Sequence, residues 1–129
     1  MGLFKRKKEK PYRVVHYEGI DTVATDMPCT FHIENEVLYF DFTSGLKVTL
    51  PMERVLKFEA MAMSDFMMKY KGTVAQNKKN GVNVSYLVIT YMSEAKEEKR
   101  IVLWAANLRE MMYFTDLQHK YQPSGTLNL

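Results

Sequence analysis

Cysteine and histidine are the side chains with the most chemical potential in this sequence, and Cys29 and His32 lie only three residues apart. A thiol and an imidazole can act as nucleophile and base when the fold brings them together. Successive residues of a strand point to opposite faces, so we expect positions 29 and 32 to face apart. The pattern therefore predicts a buried thiol and a surface imidazole. His16 and His119 are too distant in sequence to complete a local metal-binding motif.

The other reactive residue types occur in patterns that are typical of turns and solvated surfaces. Glu34 and Glu36 lie in a polar break, and further glutamates lie in a charged segment at residues 93–99. The glycines are isolated, so the chain lacks a glycine-rich phosphate-binding loop. A single cysteine cannot form an intrachain disulfide or a thiolate metal cage. We predict that the protein is not an enzyme and requires no metal or other cofactor.

Positive charge is concentrated at the amino terminus. The 129 residues carry a formal net charge of +3, and residues 1–10 contain five bases and one acid, which leaves −1 for residues 11–129. Basic residues near an anionic membrane each contribute about 1 kcal/mol of binding free energy. This segment could therefore attach the protein weakly to such a surface, or it could serve as a flexible solubilising tail over residues 1–11. The candidate membrane contact consists of Leu3, Phe4, Lys5, Arg6, Lys7 and Lys8.

A methionine-rich segment is the second candidate binding surface. Four of the ten methionines lie between residues 61 and 68. Methionine is flexible and polarisable, which suits adaptable protein contacts. These side chains could instead fill a barrel core, but both faces of such a segment are buried only if something covers its outside. A partner subunit is one such cover, and the candidate partner surface consists of Met61, Met63, Phe66, Met67 and Met68.

Alternating apolar and polar residues predict strands in the first half of the chain. The polar break at residues 34–36 and the Thr43–Gly45 turn signal separate them, and Pro51 ends one of them because it has no amide donor. This pattern of alternation and turns therefore predicts a four-stranded antiparallel meander. Its predicted strands cover residues 29–33, 37–42, 46–50 and 55–61.

The second half predicts two more strands and a closing helix. Residues 64–70 fit either a short helix or a bent strand, and residues 71–82 have the composition of an exposed loop or hairpin tip. Strands are predicted at residues 84–91 and 100–104, where β-branched and aromatic residues are frequent.

The closing helix is predicted from Leu108 to about Tyr121. Asn107 is a suitable N-cap, and Glu110 is spaced to bond back to the amide of that cap. One broad face is expected to pack on the strands, since a helix of this length is not stable alone. That predicted face carries Leu108, Met111, Met112, Phe114 and Thr115.

The order of a meander, a second set of strands and one amphipathic helix resembles the pleckstrin-homology (PH) superfold, in its small bacterial PH-like and GRAM-like forms. The most characteristic stretch is Val37–Phe40, a turn, and then residues 46–55 with Pro51 at a corner. The resemblance covers about residues 12–121, with 122–129 as a flexible tail. It implies a mainly β barrel of about seven antiparallel strands, capped by the helix.

Phosphoinositide-binding members of this superfold carry Lys and Arg around the loop between their first two strands. Here that loop would be residues 34–36, or residues 21–28 if the register is shifted, and both are acidic and lack a base. A phosphate would meet repulsion rather than charge-assisted hydrogen bonds. We therefore expect no phosphoinositide-specific site.

Other functional classes are less consistent with the sequence. An OB-fold that stacks single-stranded bases would interleave exposed aromatics with Arg or Lys, so no nucleic-acid partner is expected. No apolar run reaches the length of a membrane span or of a signal peptide's apolar region.

The sequence predicts a cytoplasmic binding or scaffold module that makes protein–protein contacts, including self-association, which the resemblance to oligomeric bacterial relatives also implies. The alternative is peripheral binding to the inner membrane surface through the basic tail.

Overall fold

Two antiparallel meanders make up the β-sheet of this protein. The computed structural model describes residues 11–70 and 84–121. The first meander contains β1 (Tyr12–Glu18), β2 (Met27–Glu34), β3 (Val37–Phe42) and β4 (Lys47–Pro51). The second contains β5 (Val55–Ala62), β6 (Ser85–Met92) and β7 (Glu98–Ala105). The helices are α1 (Met63–Tyr70) and α2 (Leu108–Lys120), and a 3-10 turn spans Met52–Arg54.

Pairing between β1 and β7 joins the two meanders into one sheet of order β4-β3-β2-β1-β7-β6-β5. Every strand pair is antiparallel. The predicted class, mainly β with about seven antiparallel strands and a C-terminal helix, is confirmed. The strand Tyr12–Glu18 was not assigned from the sequence, although it is the strand that connects the two halves.

One apolar cluster contains residues of all seven strands and of α2. Phe40 and Leu50 come from the first meander, and Phe58 and Leu87 come from the second. Because strands from both ends of the sheet contribute to one core, the sheet must curve around it. Phe114 and Leu117 on α2 are buried in the same cluster, so the helix closes this core as predicted.

The predicted partner of one strand was wrong. Val55–Met61 was expected to complete the first meander, but β5 pairs with β6, with Phe58 opposite Ile89. The 3-10 turn after Pro51 separates β5 from β4. Alternation within the segment predicted a strand correctly, yet it contains no information about which strand lies beside it.

Two details of α2 were also wrong. Asn107 is at the N-cap position, but its side chain makes no capping hydrogen bond within the part of the chain that the structure describes. Glu110 is buried and does not bond back to that cap; its carboxylate accepts a hydrogen bond from the backbone of Arg13 instead. Of the predicted packing face, Phe114 is buried and Met111 is partly buried, whereas Leu108, Met112 and Thr115 are exposed.

The segment left open at residues 64–70 is helical and forms most of α1. Three other predictions concern residues outside the described ranges: the tail at residues 1–10, the loop at 71–82 and the tail at 122–129.

Candidate functional site

Strand β2 holds the thiol and the imidazole at positions 29 and 32 on opposite faces. Cys29 is buried in the core, and burial, with a smaller effect of Asp41, raises the pKa of its thiol to about 12. His32 lies on the other face and stacks on Tyr39, with ring centroids 4.8 Å apart. The predicted separation is confirmed, and the Cys29 thiol is protonated at neutral pH.

His16 is buried and supports the loop between β1 and β2. Its Nε2 accepts the backbone N–H of Ile20, and its Nδ1 lies 3.1 Å from the carbonyl oxygen of Ala24. Because Nε2 is the acceptor, Nδ1 carries the proton and donates to Ala24. Burial lowers the pKa of His16 below its ordinary value, despite that hydrogen bond and the nearby Glu18 and Asp26. The neutral imidazole therefore links both ends of the loop.

His119 lies at the exposed end of α2, far in sequence from the other two histidines. Within residues 11–70 and 84–121, no three His, Cys, Asp or Glu side chains are grouped so that they could hold a metal ion.

The loop between the first two strands spans residues 19–26. Its charged residues are Asp21 and Asp26, and the Asp26 carboxylate accepts a hydrogen bond from Trp104 Nε1 at 2.9 Å. An open cavity of about 700 Å³ lies beside this loop and is lined by Val48–Leu50 of β4 and by the β6–β7 connection. Its lining mixes three bases with three acids, so its charge favours neither sign of ligand. These residues are Arg54, Lys99, Arg100, Glu18, Asp21 and Glu94.

A second cavity, of about 540 Å³, lies where β1, β2 and β7 meet. Val15, Pro28 and Trp104 contribute to its lining, together with the charged side chains of Arg13 and Asp41. The cavity is close to the amino end of α2, since Asn107 also lines it.

The methionine-rich segment covers the outer face of the second meander. α1 folds back over this face, and Phe66 is buried there against Tyr86, with the two rings stacked at 4.3 Å. Met61, Met63 and Met67 pack partly buried around the same cluster. Met68 is 77% exposed. The sequence pattern indicated that something must cover the outer face of this segment. The segment's own helix, α1, provides that cover.

A polar network fixes α1 to β5. Glu59 on β5 accepts hydrogen bonds from Lys69 Nζ at 2.7 Å and from the Tyr70 hydroxyl at 2.5 Å. Burial opposes ionisation of Glu59, but these two hydrogen bonds and nearby Lys57 hold its pKa below its ordinary value. The Arg100 guanidinium lies 4.9 Å from the centre of the Tyr70 ring. The helical part of the methionine-rich segment is therefore held in one position by the charged carboxylate of Glu59.

The amino end of α2 brings together two features that the sequence did not connect. Leu108 and Met112 are 69% and 57% exposed on its outer face. The Arg109 guanidinium lies 4.1 Å from the centre of the Tyr12 ring, at the point where the chain leaves the basic segment. This surface could not be predicted from the sequence, because residues 110, 114 and 117 also repeat at helical spacing. The face that packs on the sheet is the one that carries the buried Glu110, Phe114 and Leu117.

No helix among the described residues is both long enough and apolar enough to cross a membrane. No protein-family model matches this chain, and the search of curated proteins finds no match to it.

Proposed function

We propose that this protein is a non-enzymatic binding module of the PH type that makes protein–protein contacts, including contacts between copies of itself. The strand order, the two meanders joined through β1 and β7, and the closing α2 support the PH assignment. A cytoplasmic location is part of the same proposal.

The observation that carries this proposal is the outer surface of α1. Met63 and Met67 are only partly buried, and Met68 projects from the same short helix with 77% of its surface exposed. Methionine side chains adapt their shape to a partner at little cost in packing. The Glu59 network supports the proposal further, because it keeps this surface in a fixed position before any partner arrives.

The chemistry-bearing side chains support a binding role rather than a catalytic one. His16 holds a loop, Glu59 holds α1 and Glu110 holds α2, each through hydrogen bonds within the chain. The Cys29 thiol is buried and protonated. Groups with perturbed pKa values often mark active sites, but the pKa shifts of His16, Cys29 and Glu59 are explained by burial and by contacts within the fold.

Molecular mass measured by light scattering across a concentration series tests self-association. We expect the wild-type mass to rise above 15.1 kDa with concentration. Met68→Lys is expected to shift the protein towards the monomer, because it places a charge at the contact. Leu46→Lys, at a residue 39% exposed in the β3–β4 connection, is the matched control and should behave as wild type. A wild-type protein that remains a monomer at every concentration would contradict self-association.

Peripheral binding to an anionic membrane is a second candidate, and the charge distribution favours it. Residues 1–10 carry a formal +4, whereas residues 11–129 carry −1. Five bases at about 1 kcal/mol each give attachment that weakens with salt. Co-sedimentation with phosphatidylserine-containing vesicles across a salt series tests this function. Binding that is absent, or that does not change with salt, would contradict it.

A further inference from the structure

Leu108 and Met112 form an apolar pair on the outer face of α2. The two residues are four apart, so their side chains are neighbours on the helix surface. They are 69% and 57% exposed, whereas Phe114 and Leu117 are buried against the sheet. The pair is therefore not part of the surface that α2 uses to close the core.

The basic segment joins the domain beside this pair. The carbonyl oxygen of Pro11 lies 3.5 Å from Arg109 Nη1. Tyr12 stacks on Tyr113 of α2 with ring centroids 3.7 Å apart. The start of β1 is thus held against the amino half of α2, with Pro11 beside Arg109, the residue that follows Leu108.

We propose that Leu108 and Met112 insert into the interfacial region of an anionic bilayer while the amino-terminal bases bind its headgroups. This inference rests on the second proposed function, membrane binding through the basic segment. It adds a defined apolar contact and therefore an orientation, with the amino end of α2 facing the bilayer.

Charge complementarity favours a bilayer as the occupant of this face. The segment before Pro11 carries a formal +4, and the exposed side chain of Arg13 adds a positive charge at the start of β1, whereas the charge of Arg109 is balanced by Glu110 at 3.0 Å. Stable membrane attachment generally requires two signals, such as a polybasic patch together with an apolar group. Asp116 lies one turn beyond Met112 and is exposed, so the apolar contact is confined to the amino half of α2.

Vesicle partitioning of the full chain tests this inference, with phosphatidylcholine vesicles that contain or lack phosphatidylserine. We expect the double variant Leu108→Ser/Met112→Ser to bind at least about tenfold more weakly than wild type, because each lost side chain removes apolar burial. Its salt dependence should be unchanged, since the bases remain. Leu46→Ser/Leu56→Ser is the matched control: it removes two exposed apolar side chains that belong to neither proposed contact surface and should bind as wild type.

A third variant separates this inference from the function on which it rests. Lys5→Gln/Lys7→Gln/Lys8→Gln is expected to lose binding and most of the salt dependence. If this variant loses binding while Leu108→Ser/Met112→Ser binds normally, insertion is refuted and binding through the bases stands. If wild type does not bind phosphatidylserine vesicles, both are refuted. If Leu108→Ser/Met112→Ser lowers the molecular mass of the protein without vesicles, the face is a protein contact and insertion is refuted.

Discussion

The side-chain carbonyl oxygen of Gln118 accepts a hydrogen bond from the backbone N–H of Ala60 over 2.6 Å, so that a helix residue bonds to the outer edge of β5. β5 is the last strand of the sheet in the order given above, and no further strand of the described residues pairs with its outer side. Gln118 therefore holds α2 against the sheet and occupies a position where a foreign strand could otherwise pair.

Replacement of Gln118 by Met tests this relationship. Met preserves the length of the side chain but lacks the amide oxygen that accepts the hydrogen bond. The N–H of Ala60 therefore loses its acceptor. We expect the free energy of unfolding to fall by about 1–3 kcal/mol, the cost of an unsatisfied backbone group. Urea denaturation measures it, with His119→Met at the exposed neighbouring position as the control. Equal stabilities of the two variants would show that the hydrogen bond contributes nothing.

Glu110 makes a comparable link at the other end of α2. Its Oε2 accepts the backbone N–H of Arg13 at 3.0 Å and lies 3.0 Å from Arg109 Nη1. Glu110→Leu leaves the Arg13 N–H without an acceptor and should lower the free energy of unfolding by about 2–3 kcal/mol. Glu110→Gln keeps an acceptor oxygen and should cost less. Denaturation of both variants checks the order, which a purely steric role of Glu110 would reverse or abolish.

The buried imidazole of His16 should make the free energy of unfolding depend on pH. Its pKa in the folded protein is below the ordinary 6.5 because the ring is buried. Above pH 6.5 the imidazole is neutral in both states, and its contribution to stability is complete. Below pH 6.5 the unfolded chain binds the proton first, so the free energy of unfolding falls with pH until the folded pKa is reached.

The comparison of wild type with His16→Gln isolates this contribution. The difference in their unfolding free energies should shrink as the pH falls from 7.5 to 5, because the unfolded chain binds the proton before the buried ring does. His119→Gln, at an exposed position, should keep the wild-type pH dependence. A stability difference between wild type and His16→Gln that is constant with pH would contradict the assignment of a neutral buried ring.

The β2–β3 turn offers a stabilising substitution. Asn35 and Glu36 both have positive φ, 51° and 64°, as in the type I′ turn of a tight hairpin. Glutamate in this conformation is strained by its Cβ, and glycine is not. We expect Glu36→Gly to raise the free energy of unfolding by about 0.5–1 kcal/mol, measured by thermal melting. The matched change Glu34→Gly, at the end of β2, should destabilise the protein instead.

The sequence alone determined the class of fold and the position of most elements. Alternation predicted strands at residues 29–33 and 37–42, the polar residues between them predicted the turn, and helical spacing after Asn107 predicted the closing helix within one residue of its observed bounds. These features depend on side-chain periodicity and turn chemistry, which act between residues close together in the chain. The separation of Cys29 from His32 followed from the same period.

Only the tertiary structure decided which surfaces are buried. α2 has two candidate faces at helical spacing, and the one that packs on the sheet meets partners distant in sequence, such as Arg13, which is 97 residues from Glu110. The pairing of β5 with β6 and the cover that α1 provides for the methionine cluster also depend on distant partners. Periodicity describes one segment at a time, whereas burial is a property of two segments in contact. For that reason the exposed pair Leu108 and Met112 became visible only once the helix was placed on the sheet.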